Sequence, residues 1–304
     1  MKFRIISQFT LLFVLFFAQA CGQKAKSTSL KNRPIELFYA ISLQIDVPFE
    51  LYLNDIPLAK EYAMSRKIMG IDINPYLLSN GSHSLKARFL APTNGSKETV
   101  SNNDLKTSFL KLVSYEKQTE PDMGRVKNYK VLQELPLAIP DIEIPMVEQE
   151  WGIDITDLPY ELEGWRNSQD LRLMDSKELE KKVVGFYENL IELLDKGEVD
   201  TYMNMLSKFY DETDTVEYLS KMDSQQEKDE IRQELINDSK GYMQPLTNYS
   251  LFIYANGRLV TLERNDIKNS GEPALRTKKP NGEEVFYYTY LHLPNGSNEF
   301  EIIR

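Results

Sequence analysis

The stretch FELYLNDIPLAKEY, residues 49–62, contains two short alternating segments joined by an Asn-Asp pair. Its first segment has an apolar residue at every second position, with Glu50 and Tyr52 between them, which is the pattern of a half-buried β-strand. Asn54 and Asp55 then favour a tight turn. The stretch therefore predicts a β-hairpin, and it indicates β-structure for the part of the chain around it.

The same pattern recurs through the first half of the chain. Asn80 and Gly81 favour a tight turn before an alternating strand that ends near Leu90. Further strands are predicted in LKTSFLKLVSYE (105–116) and YKVLQELPLAI (129–139). Because no clear helical period interrupts these strands, we expect an antiparallel all-β sandwich over this part of the chain.

Within this region, DINPYLLSNGSHSLKARF (72–89) resembles the late strands of immunoglobulin-like and carbohydrate-binding β-sandwiches, in which a polar turn precedes an outer strand. The resemblance implies the sandwich fold for residues 34–165. It covers about 18 residues and carries no binding motif.

The segment from 136 to 165 contains four prolines, which remove donors from a strand ladder and place it at a sheet edge or in an extended connector. Trp151 and Trp165 are the two tryptophans of the chain and both lie in this segment. They are candidates for ligand binding, as stacking platforms for a sugar, or alternatively for sealing an interface between domains. The domain boundary is predicted at 166–175.

The second half of the chain changes to a helical period. Asp175 is a predicted N-cap of a helix with one apolar stripe that ends at Gly197. A second helix from about Glu198 and a third, highly charged one are followed by three turns rich in Asn and Gly. Helices followed by such an antiparallel meander predict an α+β domain, so the chain is expected to have two domains.

The segment VVGFYENLIELLDKGEVDTYMNML, residues 183–206, resembles the opening of nuclear transport factor 2-like domains, also described as SnoaL-like or cystatin-like. The resemblance covers residues 174–304 and implies a pocket between the first helix and a concave sheet. Such pockets contain enzymes in some relatives and serve as binding modules in others.

The amino terminus predicts export. Lys2 and Arg4 precede a short apolar run, so residues 1–20 are predicted to be a signal peptide. AQAC, which ends at Cys21, resembles a bacterial lipobox and implies lipidation of this residue, while residues 21–33 form a polar tether. The protein is then lipid-anchored in the cell envelope, in the outer membrane facing the periplasm, a location implied by Gly22. A soluble exported protein is the alternative.

The chain has a net charge of −10, and removal of residues 1–20 makes it about −12. An acidic chain repels nucleic acid and anionic lipid head groups, so no nucleic-acid partner is expected. Contact with the membrane is expected through the lipid anchor, and the expected partner is a protein.

Few residues point to chemistry. The segment FYYTYLHL places Tyr288, Tyr290 and His292 on one face of a predicted strand, where they are candidates for acid and base catalysis. The two histidines are far apart and show no metal-binding spacing, so no metal or cofactor is predicted.

Three hypotheses for function follow. The favoured one is a non-catalytic lipoprotein that acts as a protein-binding module, one form of which is a periplasmic immunity protein that neutralises a toxin. The second is a lipoprotein that binds a small molecule or a glycan. The third is an enzyme that uses the pocket of the C-terminal α+β domain, although the sequence favours a protein without catalysis.

Overall fold

The structure is a computed structural model that describes residues 36–63, 65–91, 98–117, 126–138, 141–266 and 271–304. The predicted signal peptide (1–20), Cys21 with its predicted lipidation and the predicted tether (21–33) lie outside the described residues. No helix within the described ranges is long and apolar enough to cross a membrane.

The N-terminal part consists of two four-stranded antiparallel sheets. Its strands are β1 (Leu37–Ile45), β2 (Phe49–Leu53), β3 (Ile56–Glu61), β4 (Lys67–Asp72), β5 (Gly81–Leu90), β6 (Phe109–Lys117), β7 (Val126–Leu135) and β8 (Met146–Ile155). The first sheet has the order β4-β1-β6-β7 and the second has the order β3-β2-β5-β8. One short helix, α1 (Asn102–Leu105), precedes β6.

The predicted hairpin at 49–62 is confirmed as β2 and β3. Asn54 and Asp55 between them have φ angles of 50° and 66°, the left-handed turn conformation that their side chains tolerate. The apolar positions of β2 are buried with alternate residues of β1, β5 and β6 in one hydrophobic cluster, which the two sheets therefore share. Glu50 and Tyr52 point away from this cluster, as the alternation requires.

The proline-containing segment adds the edge strand β8, which pairs with β5 over ten residue positions. This placement agrees with the expectation that the segment lies at a sheet edge. The strand β4, which precedes Asn80, pairs with β1 in the other sheet and not with β5. The 3-10 turn at Asn74–Tyr76 carries the chain between the sheets, since Asn74 bonds to the backbone of Leu37 and Tyr39.

Four helices and further antiparallel sheets follow, which makes the whole chain α+β. The helices are α2 (Ser176–Lys196), α3 (Val199–Met205), α4 (Ser207–Val216) and α5 (Lys221–Ser239). The predicted ends of α2 are confirmed, because the Asp175 carboxylate accepts two backbone hydrogen bonds and Gly197 has a φ of 79°. The second predicted helix is divided into α3 and α4 at Leu206.

The C-terminal strands are β9 (Tyr249–Tyr254), β10 (Leu259–Arg264), β11 (Arg276–Lys278), β12 (Glu284–Phe286), β13 (Leu291–His292) and β14 (Glu301–Ile302). One sheet has the order β14-β13-β10-β9, and β11 pairs with β12 in a separate hairpin. The prediction of one continuous strand through FYYTYLHL was wrong. Backbone groups from Tyr287 to Tyr290 bond instead to Leu275, the hydroxyl of Tyr187 and Arg304, which draws the chain out of a single ladder.

The N-terminal and C-terminal parts pack against each other through a mixed cluster. Its buried members are Tyr52, Ile56, Trp165, Tyr254, Ala255, Leu259, Tyr290 and Ile303. A buried ion pair lies beside this cluster: Arg304 Nη1 donates to Glu212 Oε2 at 2.7 Å, and the two side chains are 3% and 10% exposed. The same guanidinium donates to the carbonyl of Pro75 at 2.9 Å, so it joins both parts of the chain.

Replacement of one member of this pair should destabilise the fold strongly. We expect Arg304→Met to lower the free energy of unfolding by about 3–5 kcal/mol, because Glu212 would remain buried without its counter-charge. Chemical denaturation followed by tryptophan fluorescence measures this loss, since Trp165 lies 5.2 Å from the Arg304 guanidinium.

Two further sets of substitutions serve as controls for this stability measurement. Arg66→Met breaks an exposed pair with Asp46 and should cost only about 0–1 kcal/mol. The double variant Glu212→Leu with Arg304→Met should recover part of the loss, because neither charge is then left buried. A single Arg304→Met variant as stable as the parent would contradict the role given to the pair.

Candidate functional site

His292 lies in a buried contact between the connector and the C-terminal sheet. Its Nδ1 is 2.8 Å from Ser168 Oγ, and its Nε2 is 3.5 Å from Glu301 Oε2. Serine, histidine and a carboxylate in this order have the composition of a hydrolytic triad. However, Ser168 and His292 are 0% and 1% exposed, so a substrate cannot reach the serine hydroxyl. The arrangement therefore supports packing and not nucleophilic catalysis.

The electrostatic surroundings of His292 favour its neutral form. Burial lowers the pKa of this imidazole, the positive charge of Lys208 lowers it further, and Glu301 acts in the opposite direction. A neutral histidine held by Ser168 fixes the connector against β13. This is a structural role that the sequence pattern alone did not reveal.

The two tyrosines predicted beside His292 are directed elsewhere. Tyr290 is 8% exposed and packs in the cluster between the two parts of the chain, with its ring centroid 6.2 Å from that of Tyr254. Tyr288 is half-buried. Within the described residues, no hydrogen bond joins either tyrosine to His292. The predicted continuous strand that would align the three side chains is interrupted before β13.

Tyr187 occupies the space between α2 and the C-terminal sheet, where the resemblance implied a pocket. Its hydroxyl donates to the carbonyl of Thr289 at 2.7 Å and accepts the backbone N–H of Leu262 at 3.2 Å. The side chain is 1% exposed. At this position the inner face of α2 is filled by a hydrogen-bonded core residue.

The tryptophans have different surroundings. Trp165 is 7% exposed in the cluster between the two parts, against the guanidinium of Arg304. Trp151 lies on β8, packs against the N-terminal cluster, and donates its Nε1 hydrogen to the carbonyl of Pro136 at 3.0 Å. The two rings therefore do not form one stacking platform.

A polar cleft of about 280 Å³ lies between the outer face of the second N-terminal sheet and the β9–β10 hairpin. Strands β2, β3 and β5 form one wall, on which register places Glu50 opposite both Lys60 and Arg88 and places Tyr52 opposite Lys86. The hairpin supplies further aromatic and acidic side chains. The cleft is lined by Glu50, Tyr52, Asp55, Lys60, Tyr62, Lys86, Arg88, Phe252, Ile253, Tyr254, Glu263 and Gly271.

Lys60 joins the two walls of the cleft. Its Nζ donates to Glu263 Oε2 and to the Tyr254 hydroxyl, both at 2.5 Å, and it lies 4.7 Å from the centroid of the Phe252 ring. The side chains of Lys60 and Glu263 are 9% and 7% exposed. Ion pairs and cation–π contacts are stronger when water is excluded, so this lysine holds the second part of the chain onto the first.

Glu50 is the other acidic centre of the cleft. Its two oxygens accept the hydroxyls of Tyr52 and Tyr62, each at 2.7 Å, and Arg88 lies 3.4 Å away. Burial opposes ionisation of this carboxyl, but the two hydroxyls and the charges of Lys60 and Arg88 outweigh burial and lower its pKa. Glu50 is therefore ionised, and its acceptor positions are occupied by groups of the same chain.

Sequence reasoning missed this cleft for a physical reason. The alternation of β2 shows that Glu50 and Tyr52 face away from the first core, but it does not show what covers them. Glu263 lies 203 positions after Lys60, and no local pattern joins them. The available signal was the density of charged and aromatic residues on the outer face of one hairpin.

The edge strand β7 forms a second candidate surface. Nine of its ten residues are exposed or half-buried, and Leu135 is the buried one. Four apolar side chains on it are 45–51% exposed: Val126, Tyr129, Val131 and Leu132. Its inner edge pairs with β6, and the sheet ends at its outer edge.

No metal site is evident among the described residues, since no three histidine, cysteine or acidic side chains there are grouped for coordination. Comparison of the chain with protein families, with curated proteins and with solved structures found no match in any of the three.

The neutral state of buried His292 predicts a loss of stability in acid. The unfolded chain takes up a proton near the usual pKa of 6.5, whereas the folded chain resists protonation, so stability is lost as the pH falls below about 7. Replacing His292 by Gln should flatten this dependence by up to about 1.4 kcal/mol per pH unit.

Urea denaturation of both proteins at pH 7, 6 and 5 measures the difference. His83, whose pKa burial also lowers, is present in both proteins, so the comparison isolates His292. Parallel stability profiles for the two proteins would show that His292 is not held neutral.

Proposed function

We propose that the protein is a non-catalytic, lipid-anchored binding protein of the bacterial cell envelope, and that strand β7 pairs with an extended segment of a partner protein. The exposed apolar edge of β7 is the observation that carries this proposal. The predicted signal peptide and Cys21 support placement in the outer membrane, facing the periplasm.

Edge strands of soluble proteins are normally short, charged or covered, because an open edge invites pairing with another chain. Strand β7 is ten residues long and carries apolar side chains that are about half exposed. Its charged residues are Lys127, Lys130 and Glu134, its backbone bends at Asn128, where φ is 52°, and its pairing with β6 has two register irregularities. Such an edge suits a partner strand that adds main-chain hydrogen bonds and covers the apolar side chains.

The architecture supports a specific fold class for each of the two parts of the chain. Two four-stranded sheets that share one hydrophobic cluster support a β-sandwich for the N-terminal part. The order of four helices followed by antiparallel strands supports a cystatin-like or nuclear transport factor 2-like C-terminal domain. In both fold classes binding modules are common, so a protein without catalysis fits them.

The chemistry of the described residues also favours binding over catalysis. The histidine with a serine and a carboxylate beside it is buried, and the acidic groups of the cleft are bonded to donors of the same chain. A net charge of −10 disfavours nucleic acid as the partner. One concrete form of the proposal is an immunity protein that captures a toxin in the periplasm.

The β7 interface can be tested by adding charge to the edge. We expect Tyr129→Lys with Val131→Lys to reduce partner recovery at least about tenfold in crosslinked pull-downs from intact envelopes, because charge blocks strand pairing and removes apolar contacts. Ile68→Lys is the matched control, since Ile68 is 68% exposed on β4, the opposite edge of the same sheet.

Hydrogen exchange gives the second readout. Backbone amides of β7 should become protected when the recovered partner is added to the purified protein, and those of β4 should not. A partner retained equally by the β7 variant and the Ile68→Lys control would place the interface elsewhere.

The predicted lipid anchor at Cys21 can be tested separately. Cys21→Ser should move the protein from the membrane fraction to the soluble periplasmic fraction, because lipid attachment requires the cysteine thiol. Fractionation and intact-mass measurement check this result. An unmodified Cys21 in the exported parent protein would support the alternative of soluble export.

A further inference from the structure

Lys86 is a cation of the cleft that forms no close ion pair among the described residues, although Glu150 lies opposite it on β8. Its Nζ lies 5.4 Å from the centroid of the Tyr52 ring, and within the described residues no carboxylate lies within 4 Å of it. Lys60 and Arg88 in the same cleft have carboxylate partners. Of the three lining cations, Lys86 therefore retains donors for a ligand.

The acceptors of the cleft are largely occupied. Both oxygens of Glu263 accept hydrogen bonds, from Lys60 and from the Tyr254 hydroxyl. Both oxygens of Glu50 accept from Tyr52 and Tyr62, and one oxygen of Asp55 accepts the backbone N–H of Asn256. A cationic ligand at Glu50 or Glu263 would have to displace these internal donors, and Asp55 offers it one oxygen, whereas an anion can pair with Lys86 without breaking any of these bonds.

Size and shape restrict the ligand further. A volume of about 280 Å³ is at the small end of ligand sites and accommodates one substituted six-membered ring. Phe252 on the opposite wall is 37% exposed, which is unusual for a large aromatic side chain packed between two parts of a chain. Lys60 Nζ and the parallel ring of Tyr254 already contact this ring, so only the part that they leave exposed can contact the apolar face of a sugar or an aromatic ring.

We propose that this cleft binds a small molecule that carries a carboxylate on a single six-membered ring. Lys86 pairs with the carboxylate, and Phe252 contacts the face of the ring. Sugar acids and aromatic acids share this chemistry. The site lies between the sheet β3-β2-β5-β8 and the β9–β10 hairpin and does not include β7, so it is separate from the proposed protein interface.

Ligand-observed NMR titrations of the full protein test the site with four probes: glucuronate, benzoate, glucose and glucosamine. We expect saturable binding of glucuronate or benzoate, and weaker binding of neutral glucose and cationic glucosamine. Binding of glucuronate alone identifies a sugar acid, and binding of benzoate alone identifies an aromatic acid. Lys86→Met should weaken binding of the carboxylate probe roughly 10- to 100-fold, the effect of losing one charge-assisted hydrogen bond.

Lys111→Met is the matched control, because Lys111 Nζ also lies over an aromatic ring, 5.3 Å from the centroid of Phe109, but on the other sheet. This control should bind the probe like the parent. Equal binding of glucose and glucuronate, tighter binding of glucosamine, unchanged affinity in Lys86→Met, or no saturable binding of any probe would each overturn the proposal. None of these outcomes affects recovery of a protein partner through β7.

Discussion

The buried pair of Arg304 and Glu212 is the interaction on which the arrangement of the chain depends. Glu212 also accepts the backbone N–H of Gly164 at 2.8 Å. One ionic contact therefore joins the segment after β14, helix α4 and the connector, and Arg304 joins them to Pro75 of the N-terminal part. Burial lowers the pKa of the arginine and the charge of Glu212 opposes that effect. Because desolvation offsets much of the attraction, the pair contributes more to orientation than to net stability, whereas loss of one partner is costly. The cleft exists as long as this orientation is kept, since its walls come from both parts of the chain.

The elements whose local pattern is strong were predictable from the sequence. The β2–β3 hairpin follows from alternation and an Asn-Asp turn, and α2 follows from its apolar stripe, Asp175 and Gly197. The division of the strand through FYYTYLHL was not predictable. Its apolar and aromatic residues fit a continuous strand, but bonds to Tyr187 and Arg304, distant in sequence, determine the path of the backbone. Local periodicity describes a strand well only where its hydrogen bonds remain in one ladder.

The candidate functional site was also only partly predictable from local sequence patterns. Its residue type and its tyrosine neighbours make His292 a catalytic candidate in the sequence, and the structure adds a serine and a carboxylate beside it. These residue types alone would favour catalysis. A substrate cannot reach the buried serine, however, and burial depends on the tertiary structure, which the local sequence does not show. Conversely, Glu50 and Lys60 carried no motif. Glu50 bonds to Tyr52, Tyr62 and Arg88 of the N-terminal part, and Lys60 pairs with Glu263 because β9 and β10 cover the outer face of the hairpin. Outward charged and aromatic residues on adjacent strands are thus a better indication of a covered surface than a single histidine.

The open edge of β7 follows from how the C-terminal part docks. The end of α4 contacts the first sheet next to this edge: Lys117 of β6 pairs with Glu217 at 2.5 Å, and the ring of Phe38 on β1 packs edge-on against Tyr218. Lys117 is also the residue that lies opposite Val126, where β7 begins. The C-terminal part therefore covers the β1–β6 pair at this end and stops before β7. A strand added to β7 would lie beside the end of α4, so a partner would be recognised by main-chain pairing along the edge and by side chains of the helical part at its end.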